Sequence, residues 1–427
     1  MPGIIVVGAQ RGDEGKGKVV DMYANDSDYV VRYQGGCNAG HTLVVNGKKT
    51  VLHQIPSGIL NPNTVNVIAQ GCVVNLEILL DEIDKIMKNE HISAKEMQKR
   101  LKISGDAAII APYNVKIDRL REKNSNKKIG TTGKGIGPTY EDIAARKSVK
   151  INDLFDVNSL KLKLKSILDE KNAILKHLCP HNERMHYFAT VVAHELHNLG
   201  KKIEKYVCDT GDLIRKELKN NKKVLFEGAQ GALLDVNHGT YPFVTSSQTG
   251  IAGVFGGAGV PMSSISKSFG VVKAYQTRVG SGPMPTELKN GTGELLRSKG
   301  QEYGATTGRA RRCGWLDLPA LKYSAEINEF DKIVLMKLDI LSNLEEIKVC
   351  TEYKYNENST KKREFQPENA IPVYSTLPGW GVDITNIKKF ENLPTEAQNY
   401  VKFIEQHIEV PVEIIGVGPG RDEIVAR

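Results

Sequence analysis

The sequence predicts an α/β protein, built on a large, mostly parallel central sheet with flanking helices and inserted subdomains. Three observations lead to this prediction. Short apolar runs rich in β-branched residues recur along the 427 residues, each run ends in a glycine-rich or polar turn, and segments with helical periodicity lie between them. Runs that are apolar throughout, rather than alternating with polar residues, are typical of strands buried on both faces, as in parallel sheets.

Five runs give the clearest strand signal. They are IIVVG (Ile4–Gly8), VLFEG (Val224–Gly228), FGVVKAY (Phe269–Tyr275), KIVLMK (Lys332–Lys337) and VEIIGVG (Val412–Gly418). Because they are spread along the whole sequence, we expect a single large domain over residues 1–427, with inserted helical or loop segments around residues 110–215 and 280–330. Ligands of open α/β sheets bind beyond the carboxyl ends of the strands, so the turns after these runs are candidate binding loops.

Helical periodicity is strongest in three segments between the runs. In NLEILLDEIDKIMKN, apolar residues from Leu76 to Met87 recur on one face, and Asn75 is a suitable N-cap. The segments Leu160–Leu178 and Glu396–Ile408 show the same pattern. Such stripes are typical of core packing, and we assign no chemistry to them.

Composition and charge restrict the class of protein. The net charge is 58 − 50 = +8, but the lysines and arginines are scattered, which disfavours a nucleic-acid-binding face and suits an anionic small substrate. The six cysteines form no CxxC pair, so a zinc cluster is unsupported and a reducing compartment is expected. No apolar run approaches the roughly 18 residues of a membrane span, and no secretion signal opens the sequence. We therefore expect a cytoplasmic protein.

The first run leads into a glycine-rich loop, GAQRGDEGKGK. A phosphate loop of the P-loop NTPases reads GxxxxGK[ST], whereas here six residues separate Gly8 from Gly15, and Gly17 stands where Ser or Thr would bind magnesium. Glycine N–H groups and the start of a helix still predict an anion site, so the expected fold is P-loop-NTPase-like. Asp13 is either a metal ligand or a general base. A glycine-rich turn with solvated charges is the alternative for the loop alone.

Two further stretches combine glycines with potential donors. In YQGGCNAGHT (Tyr33–Thr42), His41 lies on a loop among small residues and is either a structural hydrogen-bonding residue or a catalyst. In IGTTGKGIGPTYEDIAAR (Ile129–Arg146), adjacent threonines offer hydroxyl and amide donors to a phosphate. A surface loop would explain the second stretch equally well.

Two more stretches indicate carboxylate and base recognition. EYGATTGRARRCGWLD (Glu302–Asp317) has three arginines beside a small-residue turn, which suits bidentate capture of carboxylate or phosphate; a solvated basic face would usually alternate with acids. In VLMKLDIL, Asp339 can accept hydrogen bonds from the N1–H and N2–H₂ edge of guanine, and the stem of Lys337 can cover the base. A solvated strand-end pair is the alternative there.

Together these stretches resemble the adenylosuccinate synthetase family. GDEGKGK, NAGHT, GTTGKGIGP, FEGAQG, HGTYPFVTSS, TRVGSGP and GATTGR occur in the family's order over nearly the whole chain. The resemblance implies GTP-dependent ligation of IMP and L-aspartate to adenylosuccinate, with GDP and phosphate, through a 6-phosphoryl-IMP intermediate. This is the first committed step of AMP synthesis. It also implies Mg²⁺ as cofactor, a cytoplasmic homodimer with shared active sites, and neither nucleic-acid nor membrane partners.

The same resemblance assigns roles to individual residues. The catalytic residues are Asp13, as base for IMP N1, and His41, as donor to the GTP phosphates; the metal ligands are Asp13 and the Gly40 carbonyl. GTP contacts are Gly12, Asp13, Glu14, Gly15, Lys16, Gly17, Lys18, Gly40, His41, Thr42, Arg311, Lys337, Leu338, Asp339, Gly416, Val417 and Gly418. IMP contacts are Asp13, Asn38, Thr132, Arg146 of the neighbouring subunit, Gln230, Thr245 and Arg309. Aspartate contacts are Ala305, Thr306, Thr307, Gly308, Arg309, Ala310 and Arg311.

Five positions depart from the family's usual residues. Arg11 replaces Trp, Cys37 replaces Asn, Lys134 and Ala310 each replace Arg, and Gly416 replaces Ser. None of these changes removes a residue to which chemistry is assigned, although the last one removes a side-chain contact to guanine.

Two other classes of protein remain as alternatives. A GTP-binding regulatory protein would share the phosphate loop, but it would need neither the arginine–threonine loop nor the HGTYPFVTSS stretch. A basic nucleic-acid-binding protein is disfavoured because aromatic residues make up only 6% of the chain and are not interleaved with basic clusters.

Overall fold

Strands and helices alternate along the chain. The computed structural model describes residues 3–45, 47–179, 186–304, 308–355 and 365–427. Its strands are β1 (Gly3–Gly8), β2 (Tyr29–Arg32), β3 (His41–Val45), β4 (Lys48–Leu52), β5 (Val65–Ile68), β6 (Val73–Val74), β7 (Leu101–Ser104), β8 (Ala108–Ile109), β9 (Val207–Cys208), β10 (Val224–Glu227), β11 (Ile265–Lys273), β12 (Gln276–Arg278), β13 (Arg312–Gly314), β14 (Leu316–Asp317), β15 (Lys332–Met336), β16 (Glu346–Lys354), β17 (Ile371–Pro378), β18 (Val412–Gly416) and β19 (Ile424–Ala426). Its α-helices are α1 (Lys16–Ala24), α2 (Leu76–Asn89), α3 (Ala94–Arg100), α4 (Pro112–Asn124), α5 (Ile136–Ala144), α6 (Val157–Leu178), α7 (Ala189–Ile203), α8 (Thr210–Lys219), α9 (Ala252–Ala258), α10 (Gly291–Lys299), α11 (Leu318–Asn328) and α12 (Thr395–Ile408).

Ten strands of the described residues form one sheet, in the order β19-β18-β15-β11-β1-β10-β2-β5-β7-β9. Neighbouring strands are parallel except β18 and β19, which are antiparallel. The prediction of a large, mostly parallel sheet is therefore confirmed. The five apolar runs of the sequence form β18, β15, β11, β1 and β10, which are consecutive neighbours in this order, so their carboxyl ends lie side by side.

Apolar side chains pack on both faces of the sheet, which explains why the runs are apolar throughout. Val6 of β1 belongs to a core cluster with Val19 and Val20 of α1. Its chain neighbours Ile5 and Val7 point to the opposite face and belong to the largest cluster, which includes side chains of α11 and α12. Another cluster surrounds α2, α6 and α7. The sheet is thus covered by helices on both sides, as parallel sheets require.

The three segments with helical periodicity form α2, α6 and α12. Asn75 caps α2 as expected, since its side chain accepts a hydrogen bond from the N–H of Ile78 at 3.0 Å. Helix α6 begins at Val157, earlier than the pattern indicates at Leu160, because Asp156 provides an N-cap. The apolar stripes of these helices lie in the core, as expected.

The predicted insertions at residues 110–215 and 280–330 remain predictions. The first range contains α4 to α8 and also β9, which pairs with β7 at one edge of the main sheet. The second contains α10, β13, β14 and α11. Within the described ranges, none of the helices combines the length and apolar character needed to cross a bilayer.

Candidate active site

The loops after five strands of the main sheet carry most of the predicted site residues. Strand β1 leads into the opening loop (residues 8–18), β2 into residues 33–40, β10 into Gln230, β15 into Lys337 and Asp339, and β18 into Val417 and Gly418. Strand β11, between β1 and β15, ends at Lys273. Because these strands are parallel, the loops converge at the edge of the sheet where α/β proteins bind ligands.

The opening loop is held by one of its own acidic side chains. Glu14 is fully buried, and its carboxylate accepts hydrogen bonds from the N–H groups of Gln10 (3.1 Å) and Gly12 (2.7 Å) and from Nζ of Lys16 (2.7 Å). Its neighbour Asp13 has a left-handed backbone, with φ of 61°, and a side chain that is 31% exposed. The two adjacent acidic residues therefore have different roles. Glu14 stabilises the loop through its hydrogen bonds, and the side chain of Asp13 stays accessible.

The two lysines of the opening loop hold other loops in place. The ammonium of Lys16 is buried and donates a hydrogen bond to the carbonyl of Gln230. The ammonium of Lys18 donates to the carbonyls of Gly418 (2.8 Å) and Glu423 (2.9 Å), and burial lowers its pKa to about 8. These bonds tie the opening loop to the segments after β10 and β18. The predicted phosphate contacts of both lysines stay predictions.

Asp13 is paired with an arginine of the predicted aspartate loop. Its Oδ2 lies 2.8 Å from Nε of Arg311. The guanidinium of Arg311 is buried, and its Nη1 donates to the carboxylate of Glu302 at 2.7 Å. Of the remaining aspartate contacts, Gly308, Arg309 and Ala310 are exposed, whereas Ala305, Thr306 and Thr307 lie outside the described residues. The structure thus brings the predicted base and Arg311 together.

His41 begins β3 and is oriented by a buried carboxylate. Its Nδ1 is in hydrogen-bond contact with Glu227, the last residue of β10, and lies 3.2 Å from the hydroxyl of Ser57. Glu227 also accepts hydrogen bonds from the N–H and hydroxyl of Ser57, at 2.7 and 2.6 Å. Because Nδ1 faces a carboxylate, it carries the ring proton, which leaves Nε2 for a ligand. Burial lowers the pKa of His41, although the charge of Glu227 opposes this shift.

The side-chain amide of Gln230 lacks hydrogen-bond partners among the described residues. Its Oε1 and Nε2 atoms are buried without a hydrogen-bond partner among the described residues. They lie against Gly35, where a Cβ would come within 3.0 Å of Oε1. An unsatisfied buried polar group costs roughly 1–3 kcal/mol, so a ligand with a matching donor and acceptor is expected here. Gly231 is also required, because a Cβ there would lie 2.6 Å from the nitrogen of Gly12 in the opening loop.

The other predicted IMP contacts lie on separate loops. Asn38 accepts a hydrogen bond from the N–H of Gly36 at 3.2 Å, and Thr245 is half-buried. Thr132 is exposed on the GTTGKG loop. Arg309 lies against the same loop, since a Cβ at Gly130 would be 3.3 Å from its Nη1. The arginine loop and the GTTGKG loop are therefore adjacent.

The predicted guanine contacts lie after β15 and β18. Oδ1 of Asp339 is buried without a hydrogen-bond partner in the described part of the chain, and burial raises the pKa of this carboxyl to about 6. The ammonium of Lys337 is anchored on Glu302 (2.6 Å) and on the carbonyl of Gly300 (2.7 Å). Leu338 and Val417 are fully buried. Met336 occupies the space beside Gly416, and its Sδ would lie 2.9 Å from a Cβ there, so a side chain at this position would require the methionine to move.

Arg146 stands apart from the groups described above. It follows α5 in a left-handed conformation, with φ of 62°, and its side chain is exposed. The guanidinium forms no ion pair or side-chain hydrogen bond with the residues that the structure describes. A single chain therefore leaves this arginine available to another molecule.

Two of the departures from the family pattern are in contact with each other. The ammonium of Lys134 donates to the carbonyl of Cys37 at 2.7 Å, which joins the GTTGKG loop to the NAGHT segment.

Arg11 is fully buried, with Nη1 donating to Gln276 at 2.9 Å and Nη2 lying 3.9 Å from Asp317. Its long side chain therefore packs inside the protein and is not a free phosphate contact.

Sequence reasoning missed two glutamates. Glu227 orients His41, and Glu302 joins Arg311 to Lys337. Both are fully buried. For Glu227 a signal was present, since a carboxylate inside the apolar run VLFEG must be paired when buried. Glu302 lies in a polar stretch and gave no such signal.

A known protein family matches nearly the whole chain. The family model described as adenylosuccinate synthetase matches residues 5–425. The chain belongs to the adenylosuccinate synthetase family. The adenylosuccinate synthetase of Bdellovibrio bacteriovorus is 47% identical over 428 residues, covering 99% of this chain and 98% of that protein. The adenylosuccinate synthetase of Halothermothrix orenii is 48% identical over 433 residues, with coverage of 99% and 98%.

A solved structure gives the same result. The fully ligated adenylosuccinate synthetase of Plasmodium falciparum superimposes with a TM-score of 0.91 at 39% sequence identity, covering 99% of each chain. Adenylosuccinate synthetases are GTP-dependent ligases of AMP biosynthesis that join IMP and L-aspartate, and the family needs a divalent metal. The fold, the family and the ligase activity expected from the sequence are thereby confirmed.

Proposed function

We propose that the loops at the carboxyl ends of β18, β15, β11, β1, β10 and β2 form the active site of this ligase, with Asp13 as general base. Asp13 would take the N1 proton of IMP, and O6 would attack the γ-phosphorus of GTP as the bond to GDP breaks. The amino group of aspartate then attacks C6, and phosphate leaves. The observation that carries this proposal is the 2.8 Å ion pair between accessible Asp13 and Arg311 of the aspartate loop.

His41 is suited to act on the phosphate groups of GTP. With Nδ1 bound to Glu227, the neutral ring presents an unprotonated Nε2, which accepts rather than donates a hydrogen bond. To donate a hydrogen bond to a phosphate oxygen, the imidazole ring therefore needs a second proton, at Nε2. A nearby phosphate anion and the charge of Glu227 both favour the imidazolium, so we propose that His41 takes up a proton when GTP binds.

Guanine recognition is assigned to Asp339. The N1–H and N2–H₂ groups of guanine are two adjacent donors, and the carboxylate offers two acceptors, of which Oδ1 lacks a protein partner among the described residues. Adenine presents an acceptor at N1 and would leave the carboxylate unpaired. Because a buried unpaired carboxylate is costly, the position selects guanine over adenine.

The residues present fit Mg²⁺. The Asp13 carboxylate and the Gly40 carbonyl are oxygen donors, and Mg²⁺ is commonly bound by one or two carboxylates together with substrate phosphates. The described residues contain no group of three or more His, Cys, Asp or Glu side chains placed to hold a metal, so phosphates and water would complete the ligand set. When bound, the ion would neutralise charge on the transferred phosphoryl group.

We also propose a homodimer in which Arg146 contacts IMP bound to the neighbouring subunit. The exposed guanidinium, which is not engaged within the described part of the chain, supports this assignment. Shared sites would make the dimer necessary for full activity. The family is cytoplasmic, and we propose the same location for this chain.

Substrate omission tests the reaction directly. The protein is incubated with GTP, IMP, L-aspartate and Mg²⁺, and adenylosuccinate is followed by its absorbance. We expect product only when all three substrates are present. GDP release that persists without IMP and aspartate, with no adenylosuccinate in the complete mixture, would instead indicate a simple GTPase.

A further inference from the structure

The buried carboxylate of Glu302 forms ion pairs with three positively charged side chains on one side of the site. Glu302 is fully buried, and its Oε1 accepts hydrogen bonds from Lys337 (2.6 Å), Lys273 (3.0 Å) and the hydroxyl of Tyr275 (2.5 Å). Its Oε2 accepts from Nη1 of Arg311 at 2.7 Å. Three positive side chains therefore converge on one negative charge in the interior.

These cations come from different parts of the site. Arg311 is the last residue of the aspartate loop and reaches Asp13, and its backbone N–H also donates to the carbonyl of Glu302 at 2.9 Å. Lys337 follows β15 at the guanine end. Lys273 ends β11 and is fully buried, and among the described residues its ammonium otherwise donates only to the hydroxyl of Thr277 at 2.7 Å. Of these three cations, Arg311 and Lys337 are the two that the family resemblance assigns to substrates.

The electrostatics make Glu302 necessary for this cluster. Burial by itself would raise the pKa of Glu302, but the charges of Lys273, Lys337 and Arg311 outweigh burial and hold the pKa well below its usual range. Without the carboxylate the three cations would face one another in a low dielectric and repel. The guanidinium of Arg311 and the stem of Lys337 would then lose their fixed positions.

We propose that Glu302 is a positioning residue that places Arg311 for L-aspartate and Lys337 for GTP, so that one carboxylate organises two substrate subsites. The proposal rests on the proposed function and on the substrate contacts that the family resemblance implies for Arg311 and Lys337. Glu302 itself contacts neither substrate, because it is fully buried behind the two cations.

The test is the steady-state kinetics of Glu302→Gln, which keeps the shape of the side chain and removes its charge. We expect the KM values for L-aspartate and for GTP to rise together, each by roughly 10-fold or more, because a charged hydrogen bond is lost at both cations. Glu302→Asp, which keeps the charge, should recover part of the loss. A wild-type KM for either substrate in Glu302→Gln would overturn the proposal.

Glu287→Gln is the matched control. Glu287 pairs with Arg312, the neighbour of Arg311, through two bonds of 2.6 and 2.8 Å. Among the described residues, Arg312 otherwise donates to the carbonyls of Gly280 and Gly282, neither of which is assigned to a substrate. This variant removes the same charge from a nearby arginine pair. We expect KM values close to those of the wild type. Increases equal to those of Glu302→Gln would contradict the proposal, because they would show that loss of any carboxylate near β13 has the same effect.

A double variant separates positioning from stability. Glu302→Gln leaves excess positive charge in the interior, and adding Lys273→Met removes one buried cation that has no substrate role. We expect Glu302→Gln/Lys273→Met to regain the unfolding temperature, while the KM values for aspartate and GTP stay high. KM values that recover together with the unfolding temperature would show that Glu302 acts only on stability.

Two single variants separate this inference from the proposed function. Arg311→Leu and Lys337→Met remove the cations themselves. Wild-type KM values in both would contradict their proposed substrate roles. Raised KM values in both, with no change in either Glu302→Gln or the double variant, would leave those roles standing and reject Glu302 as the residue that positions them.

Discussion

The charged centre of the site and the positions on either side of it are built differently. At the centre, Asp13 after β1 and Lys337 after β15 are joined through Arg311 and Glu302 by continuous ion pairs within the chain. On either side, Gln230 after β10 and Oδ1 of Asp339 after β15 hold buried polar atoms that no described protein group satisfies.

The difference separates two tasks. Phosphoryl transfer needs charges that are already oriented when the substrate arrives, and mutual ion pairs provide that orientation. Base recognition needs groups that are satisfied only by the correct ligand, because the wrong ligand leaves them buried and unpaired. Removal of the Asp13 carboxylate should therefore lower kcat, and removal of the Glu302 charge should raise the KM values of two substrates together. Changes at the flanking positions should raise KM for one substrate.

The largest effect is expected from Asp13→Asn. Loss of a general base typically lowers turnover by roughly 10²–10⁴-fold, and this variant keeps the shape of the side chain. Steady-state kcat is the measurement, with thermal unfolding as a check of the fold. Glu14→Gln is the neighbouring comparison, since Glu14 holds the loop and should mainly affect unfolding. Turnover near the wild-type value in Asp13→Asn would remove Asp13 from the role of base.

Asp339→Asn should act on GTP alone. Two charged hydrogen bonds to guanine are lost, so we expect KM for GTP to rise by about 10²-fold, with the KM values for IMP and aspartate unchanged. Inosine triphosphate, which lacks the 2-amino group, provides the comparison substrate. The preference for GTP over inosine triphosphate should shrink in the variant, and an undiminished preference would place guanine recognition elsewhere.

The same carboxyl predicts a pH dependence. Burial raises the pKa of Asp339 to about 6 in the protein without GTP, and guanine requires the carboxylate. Affinity for GTP should therefore be complete above this pKa and should be lost as the pH falls through about 6. Binding measured between pH 5 and pH 8 should show this loss in the wild type and not in Asp339→Asn.

Arg146→Leu should raise KM for IMP by roughly 10-fold, through loss of a charged hydrogen bond, while dimers persist. Mixing it with Asp13→Ala tests the shared site, because one site of each hybrid dimer regains both residues. At an IMP concentration well below KM, where the Arg146→Leu homodimer contributes little, random pairing predicts about one quarter of wild-type activity in the mixture. Absence of recovery, with hybrid dimers shown to form, would contradict a contribution across subunits.

The smallest effect is expected from Gly416→Ser, which introduces the family's usual residue. The new Cβ would lie 2.9 Å from Sδ of Met336, so the methionine must move. Overpacking of this kind typically costs about 1–3 kcal/mol, and a flexible methionine should keep the cost at the low end. Thermal unfolding should show a small decrease, and an increase would mean that the space is not filled by Met336.

Most of the fold could be predicted because its signals are local. The five apolar runs became adjacent parallel strands, and Asn75 caps α2 as its position indicated. The glycine motifs likewise indicated the family and the loops of the candidate site, whose residue roles stay predictions. The full order of the sheet and the pairing of β9 with β7 had no local signal, since pairing partners are set by contacts between distant residues.

The sequence by itself determined the α/β class, the family and the reaction, because apolar periodicity and ordered glycine motifs are properties of the chain. Only the tertiary structure decided which charges face each other. Asp13 and Glu14 are adjacent in sequence, yet one meets Arg311 and the other the amides of its own loop. Glu302 acquires its place from Lys273, Lys337 and Arg311, which lie 29, 35 and 9 residues away. The physical reason is that a buried charge is stable only beside its partners, and those partners are fixed by folding.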